Sequence, residues 1–225
     1  MTRFSGRREV ALGLGVYALY LGVRALVWTE DGRRRADRNA ARIVEAERRL
    51  QLHVEPQLQR LLLPRRRLLT VLNIAYVTLN VGLTVGWLMR LYHRREPGFF
   101  RYRRAVALAT AGAQPVYLLF PVAPPRKLDH LTDTIAEAGL DLDSGLISKL
   151  YCPIGAMPSI HVAYAVVVGE AIRKTGPRWL RRLAPAYAPA VAVTVFATAN
   201  HYFLDGIAGA ALGGAALRLS RRLGA

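Results

Sequence analysis

The stretch VALGLGVYALYLGVRALVW, residues Val10–Trp28, is a long apolar run with a single arginine, and it indicates a helical membrane protein. A membrane-spanning helix needs ~20 predominantly apolar residues, and this run is of that length. It follows a basic opening at Arg3, Arg7 and Arg8, and it is longer than the apolar core of a typical secretory signal peptide. We therefore interpret it as an uncleaved signal-anchor helix.

Further apolar segments follow it along the chain. They predict an all-α fold, a polytopic membrane bundle of about six transmembrane helices. In the last of them, Gly209 and Gly213 form a GxxxG pair, which predicts close packing against another helix. The further predicted spans are Leu68–Leu91, Ala105–Val122, Pro158–Ile172, Leu183–Ala199 and His201–Leu219.

A charged stretch, Thr29–Arg67, separates the first two spans. Within it, Ala36–Leu52 places Ile43, Ala46 and Leu50 on one face of a helix, which predicts an amphipathic helix against the bilayer surface or the bundle. A solvated helix is an equal alternative. We accordingly divide the chain into residues 1–67, the signal anchor with this charged segment, and residues 68–225, the membrane-embedded catalytic bundle.

The charge is strongly basic, with 32 Lys and Arg against 15 Asp and Glu. The basic residues lie between apolar segments, which favours membrane topology over nucleic-acid binding. With six spans, the N-terminus and the loops Arg90–Arg104, Arg173–Arg182 and Arg218–Arg222 fall on one side, the cytoplasm. The loop Pro121–Met157 then faces the other side, and we expect a plasma-membrane location. The Arg-rich stretch Thr29–Arg67 also falls outside, against this rule.

Three polar segments meet at the extracytoplasmic ends of these spans. His161 closes the segment Met157–His161 at the start of the fourth span, and His201 opens the last span. The segment Pro124–Lys127 leaves the third span on the same side. Ionisable residues at membrane depth are costly and therefore indicate function.

The chemistry of these residues suits a phosphate ester. Asp205, four residues after His201, is expected on the same helix face, where a carboxylate fixes the imidazole tautomer. Ser159 at a helix start and the cations Arg126 and Lys127 suit an anion. The second histidine, His161, would protonate a leaving alkoxide. Taken singly, a histidine at a membrane edge is more often an interfacial residue, and a loop arginine is most often a turn residue at the membrane surface. The His201–Asp205 pair is equally explained by a local ion pair, so it is the conjunction of these features on one side that indicates function.

The pattern Pro158-Ser159-x-His161, followed by His201-Tyr202-x-x-Asp205, resembles the type 2 phosphatidic acid phosphatase superfamily. Phe120-Pro121-x-x-Pro124-Pro125-Arg126 is similar to the first motif of its inositol phosphorylceramide synthase branch. The resemblance covers about Phe120 to Gly213. It implies that His201 forms a phosphohistidine, that Asp205 orients it, and that His161 is the acid for the leaving group.

Departures from the superfamily pattern refine this interpretation. Ile160 stands where the second motif has glycine, and Thr194 and Val195 stand where the third motif has Ser-Arg. One phosphate-binding arginine is therefore missing, and Arg126, helped by Lys127, must supply that charge. These changes favour the phosphotransferase branch over an ordinary phosphatidate phosphatase.

We therefore expect an integral membrane lipid phosphotransferase that moves a phospho-headgroup, such as inositol phosphate, from a phospholipid to a lipid alcohol. Hydrolysis of a lipid or polyprenyl phosphate, with water as acceptor, is the first alternative. A non-enzymatic protein with haem bound between His161 and His201 is the second, and a catalytically inactive scaffold is the third. No cofactor, metal or nucleic acid is expected, and the sequence carries no sign of the oligomeric state.

Overall fold

The computed structural model describes residues 4–139 and 147–223, and this part of the chain is all-α. The chain is 78% helical, and the described ranges contain no strand beyond one isolated parallel bridge between Val122 and Gly155. Residues 140–146 of the predicted loop Pro121–Met157 lie outside the described residues.

The helices follow one another with short connections. A π-helical turn, Ala75–Leu79, joins α4 to α5, and a short 3₁₀ turn, Pro125–Lys127, follows α6. The α-helices are α1 Gly6–Val27, α2 Glu30–Arg49, α3 Glu55–Leu62, α4 Arg66–Ile74, α5 Asn80–His93, α6 Phe99–Leu119, α7 Thr134–Glu137, α8 Ile147–Leu150, α9 Ile160–Thr175, α10 Arg178–Ala197 and α11 Phe203–Arg222.

Helices occupy all the predicted span positions, but they differ in their fitness to cross a membrane. In the described part of the chain, only α1 is by itself long and apolar enough. The pair α4–α5, bent by 49°, passes the same test when it is counted as one span. The all-α class is thus confirmed, whereas the six-span arrangement stays a prediction. Helix α9 has only 16 residues, and α10 begins with a cluster of arginines.

The bundle core is built by α6, α9 and α11, with α10 against α9 and α1 against α6. Helix α2 packs its apolar face on this bundle, since Ala36, Ala40, Ile43 and Val44 are buried. These four residues share a core with Tyr117 of α6. The amphipathic helix is therefore present and packs its apolar face on the bundle. Leu50 was wrongly assigned to that face, because it follows the end of α2 and is 60% exposed.

Two glycines of α11 let its backbone approach α9 closely. A Cβ at Gly209 would lie 2.3 Å from the Ser159 carbonyl oxygen, and one at Gly213 would lie 2.6 Å from the Ala163 carbonyl oxygen. Both contacts are far shorter than a van der Waals separation, so the predicted close packing is confirmed. The Gly209 contact holds α11 against the residue at which α9 begins.

The substitution Gly209→Ala is expected to destabilise the bundle. Its methyl group meets a backbone oxygen that cannot turn away, and overpacking of this kind costs ~1–3 kcal/mol. For a chain of this length, that cost lowers Tm by roughly 2–4 °C per kcal/mol, measured by thermal unfolding in detergent. Gly214→Ala is the matched control, because a Cβ there meets nothing within 4 Å. Equal Tm values for the two variants would contradict the packing role.

Candidate active site

A tight turn between α10 and α11 sets the position of His201. Ala199 adopts a positive φ of 51°, and the backbone N–H groups of Asn200 and His201 both donate to the Val195 carbonyl, at 2.9 and 3.2 Å. Val195 itself is 1% exposed. Val195 stands where the superfamily pattern has arginine. It therefore supports the turn that carries His201 through its backbone carbonyl, and its apolar side chain brings no charge to the site.

The ring of His201 is held by a backbone carbonyl. Its Nδ1 lies 2.8 Å from the Ala156 oxygen, while Asp205 Oδ2 is 3.5 Å away. A carbonyl oxygen can only accept, so Nδ1 must carry the hydrogen and Nε2 keeps its lone pair. The expectation that His201 and Asp205 share a helix face is wrong, because α11 begins at Phe203, after His201.

Asp205 instead fastens the start of α11. Its buried carboxylate accepts the Tyr202 N–H at 2.9 Å and so satisfies a backbone donor there. Its backbone carbonyl accepts the N–H of Ser159 at 3.0 Å, which joins the start of α11 to the start of α9. Asp205 thus fixes the two segments that carry the histidines, and its carboxyl group lies close to the His201 ring.

His161 lies in the first turn of α9 and faces His201. The two ring centroids are 5.6 Å apart with 59° between the planes, and the Tyr76 ring lies 4.6 Å from His161 on another side. Tyr76 comes from the π-helical turn, and such turns occur frequently at functional sites. The Asn80 side chain donates to the His161 carbonyl at 2.8 Å, and the Tyr187 hydroxyl donates to Asn80 Oδ1 at 3.0 Å.

Arg126 is the cation that the fold brings to the histidines. Its side chain is only 3% exposed, and it pairs with Asp133 at 2.8 Å. It also donates to the Tyr151 hydroxyl at 3.2 Å. Its backbone N–H donates to Ala199 in the histidine turn at 2.7 Å. The guanidinium is therefore fixed beside the turn that carries His201.

The other two residues predicted to bind phosphate lie differently. Ser159 is fully buried and caps α9, because its hydroxyl accepts the Val162 N–H at 3.4 Å. Lys127 is exposed, with its ammonium 5.7 Å from the centre of the Trp28 ring. His161 and His201 line a cavity, whereas Ser159 and Lys127 are not among the described residues that line it.

That cavity has a volume of about 1030 Å³ and mostly apolar walls. Its lining on α6 runs from Phe99 to Tyr117, roughly 27 Å of helix at 1.5 Å per residue. Polar groups are found toward both ends of that length. The Glu9–Arg103 ion pair lies at one end. The other end holds Arg126, Asn200, His161 and His201.

Two acidic residues that the sequence analysis did not single out touch the same helix start. Glu55 accepts the Phe203 N–H at 2.7 Å and Glu47 accepts the Leu204 N–H at 2.8 Å, and both side chains are fully buried. Burial raises the pKa of Glu47 to about 7. Burial and the nearby Glu47 charge raise the pKa of Glu55 to about 8, while burial lowers the pKa of the adjacent His53.

Sequence reasoning missed several other groups at the site. The Ala156 carbonyl gives no signal in a sequence, because every residue carries one. Tyr76 was hidden inside an apolar span, although a tyrosine and two asparagines, Asn73 and Asn80, in such a span are a signal that could have been followed.

The geometry can be compared with known proteins. A family model described as the PAP2 superfamily matches residues 41–219. No curated protein and no solved structure matches the chain significantly. Members of this superfamily are phosphatases and phosphotransferases and are often membrane-associated. The match covers most of the chain, from the middle of α2 almost to the end of α11, and it contains both histidines, Arg126 and Asp205. The chain belongs to the PAP2 superfamily.

Proposed function

We propose that this protein is an integral membrane phosphotransferase whose donor is a phospholipid or another lipid-linked phosphate. The observation that carries the proposal is the position of the His161–His201 pair, which lies with buried Arg126 at one end of a long apolar cavity. A polar reactive end joined to an apolar groove matches a substrate that has a phosphate head and hydrocarbon tails.

In the first step, His201 is the nucleophile. Its Nε2 lone pair attacks phosphorus, and the bond from phosphorus to the leaving oxygen breaks. His161, in its protonated form, gives its proton to that oxygen, so that the lipid leaves as a neutral alcohol. The product is a phosphohistidine on Nε2, while Nδ1 keeps its hydrogen and donates it to the Ala156 carbonyl.

In the second step, the acceptor reverses these events. Its hydroxyl gives a proton to neutral His161, and its oxygen attacks phosphorus as the bond from phosphorus to Nε2 breaks. His201 recovers its lone pair and His161 recovers its proton. A lipid alcohol as acceptor gives a transferase, whereas water gives a phosphatase. The missing arginine at Val195 and the similarity of the Phe120–Arg126 motif to the inositol phosphorylceramide synthase branch favour the transferase.

Charges around the pair support this chemistry. Arg126 is assigned to the phosphate oxygens, and its ion pair with Asp133 holds the guanidinium in place. Asp205 stabilises the positive charge that the His201 ring carries as a phosphohistidine. Ser159 positions His161 through the α9 cap. Lys127 with Trp28 is assigned to the headgroup region, where aromatic and basic residues collect. We further propose six spans in the plasma membrane and an extracytoplasmic active site.

The donor and acceptor are tested with the purified chain and phosphorus-labelled phosphatidylinositol or polyprenyl phosphate, each with and without a lipid alcohol. Transfer of label to the alcohol is the expected result. Release of label into water in both conditions would identify the hydrolase instead. A protein that turns over neither donor and shows a Soret absorption band would point to bound haem and overturn the proposal.

His201→Ala is expected to lower kcat by roughly 10³-fold or more, because the nucleophile is lost. The wild-type protein, quenched with alkali during turnover, should carry acid-labile phosphate, and His201→Ala should carry none. His130→Ala is the control, since His130 is an exposed histidine outside the cavity lining. Full activity or an unchanged phosphoprotein in His201→Ala would contradict the mechanism.

His161→Ala is expected to lower turnover by about 10²–10⁴-fold with a lipid alkoxide as leaving group. A leaving group that needs no protonation separates this role from a structural one. With a nitrophenyl phosphodiester as donor, formation of the phosphohistidine should fall far less than with the lipid donor, followed by rapid-quench labelling. An equal loss with both donors would show that His161 is not the acid.

The apolar groove is tested by filling it. Val85 lines the cavity on α5 and is 51% exposed, so Val85→Trp narrows the groove without disturbing the core. Loss of contacts to about two methylenes costs ~1.6 kcal/mol, which lowers kcat/KM for a long-chain donor roughly tenfold. A short-chain donor should be unaffected. Val193→Trp on α10 is the matched control, also 51% exposed but outside the lining. Equal effects on both donors would contradict the tail-binding role.

A further inference from the structure

A second cluster of polar side chains lies at the corner between α2 and α3. Leu52 donates its N–H to the Glu47 carbonyl at 2.7 Å, and Gln51 has a positive φ of 57°, so the chain reverses sharply here. The reversal brings His53 to both carboxylates: its Nδ1 lies 3.5 Å from Glu47 Oε2 and 3.2 Å from Glu55 Oε2. One ligand atom from each of the three residues lies within 4.8 Å of the other two.

Each carboxylate is only half satisfied by the protein. Oε1 of Glu55 and of Glu47 accepts an N–H of α11, whereas Oε2 of each, like Nδ1 of His53, has no hydrogen-bond partner among the described residues. Both glutamate side chains are fully buried. Two buried carboxylates that turn free oxygens toward one point repel each other, and either a proton or a bound cation between them relieves that repulsion.

The donor set indicates which positive charge fits. Two carboxylate oxygens and one imidazole nitrogen are ligands of Zn²⁺ and similar divalent transition metals, while Mg²⁺ and Ca²⁺ prefer oxygen ligands alone. Ligands that lie 2.0–2.2 Å from a tetrahedral ion are about 3.4 Å from one another. The distances from His53 Nδ1 to the Oε2 atoms of Glu55 and Glu47, 3.2 and 3.5 Å, match that spacing. The His53 side chain is 13% exposed, so the cluster is not completely enclosed by protein.

We propose that Glu47, His53 and Glu55 bind one divalent transition-metal ion, with Zn²⁺ as the reference ion, and that this ion fixes the start of α11. Each glutamate then bridges the ion and one backbone N–H of α11. The ion would therefore tie the α2–α3 corner to the helix that begins two residues after His201. This role is structural and is separate from the phosphate chemistry, so it does not depend on the proposed donor or acceptor.

The test uses the full-length chain in detergent with its affinity tag removed, stripped with EDTA and dialysed. Zn²⁺ is titrated by calorimetry, and metal content is then measured by mass spectrometry. We expect about one Zn²⁺ per chain and a rise in Tm of several degrees, because an ion that binds only the folded state stabilises it. His53→Ala and Glu47→Gln should each weaken Zn²⁺ binding by at least tenfold. The glutamine retains an oxygen that can accept the Leu204 N–H.

His130→Ala is the matched control, because this exposed histidine has its ring 6.0 Å from that of His53 but lies outside the ligand set. It should retain wild-type Zn²⁺ affinity. Co²⁺ gives a measurement that does not depend on protein stability, because its visible absorption reports its ligands. This absorption should appear with wild-type protein and be lost in His53→Ala. Wild-type protein that shows neither stoichiometric Zn²⁺ or Co²⁺ binding nor a Tm response to them would overturn the proposal, even if a variant fails to fold.

Discussion

Three carboxylates share the backbone N–H groups at the start of α11: Asp205 accepts from Tyr202, Glu55 from Phe203 and Glu47 from Leu204. The first turn of any helix has N–H groups without helical partners, and here that turn is largely shielded from water. Burial without partners would cost several kcal/mol, so the carboxylates are what allow a helix to begin here. His201 lies immediately before this turn, so the hydrogen bonds that fix the turn also fix the position of His201.

The same junction also fixes the second histidine. The Asp205 carbonyl accepts the N–H of Ser159, whose hydroxyl in turn caps the helix that carries His161. One residue thereby connects the starts of two helices, and the glycine at position 209 lets those starts approach closely. The distance between the two imidazole rings is thus determined by backbone hydrogen bonds and by the absence of a side chain, rather than by any direct contact between the histidines.

The sequence was sufficient for the coarse features. Apolar runs located the long helices, and alternating chain direction placed His161 and His201 at one end of the bundle. The finer contacts were beyond it for physical reasons. The acceptor for His201 is the Ala156 carbonyl, a group common to all residues. Glu47 and Glu55 lie in a charged stretch roughly 150 residues before Leu204 and Phe203, whose N–H groups they accept. From the sequence alone they are therefore expected at the surface.

Unlike α1, helices α9 and α11 are not by themselves long and apolar enough to cross a membrane, and the packing of the site contributes to this. Helices α9 and α11 place small residues against each other and polar residues at the site, so fewer positions remain for large apolar side chains. Helix α1, the π-helical turn and α5 instead form much of the cavity wall, and α1 and α5 carry exposed apolar residues such as Val10, Leu14 and Val81. The most apolar segments and the segments that carry the two histidines are thus different parts of the chain.

This division matters for protein engineering. The two histidines depend on the starts of α9 and α11, where close backbone contacts leave almost no tolerance for added volume. The cavity wall depends largely on α1 and α5, where side chains such as Val81 and Met89 are about half exposed. If the proposed function holds, a library that diversifies these wall positions while keeping Gly209 and Gly213 fixed would vary the preferred hydrocarbon chain and leave the two histidines in place.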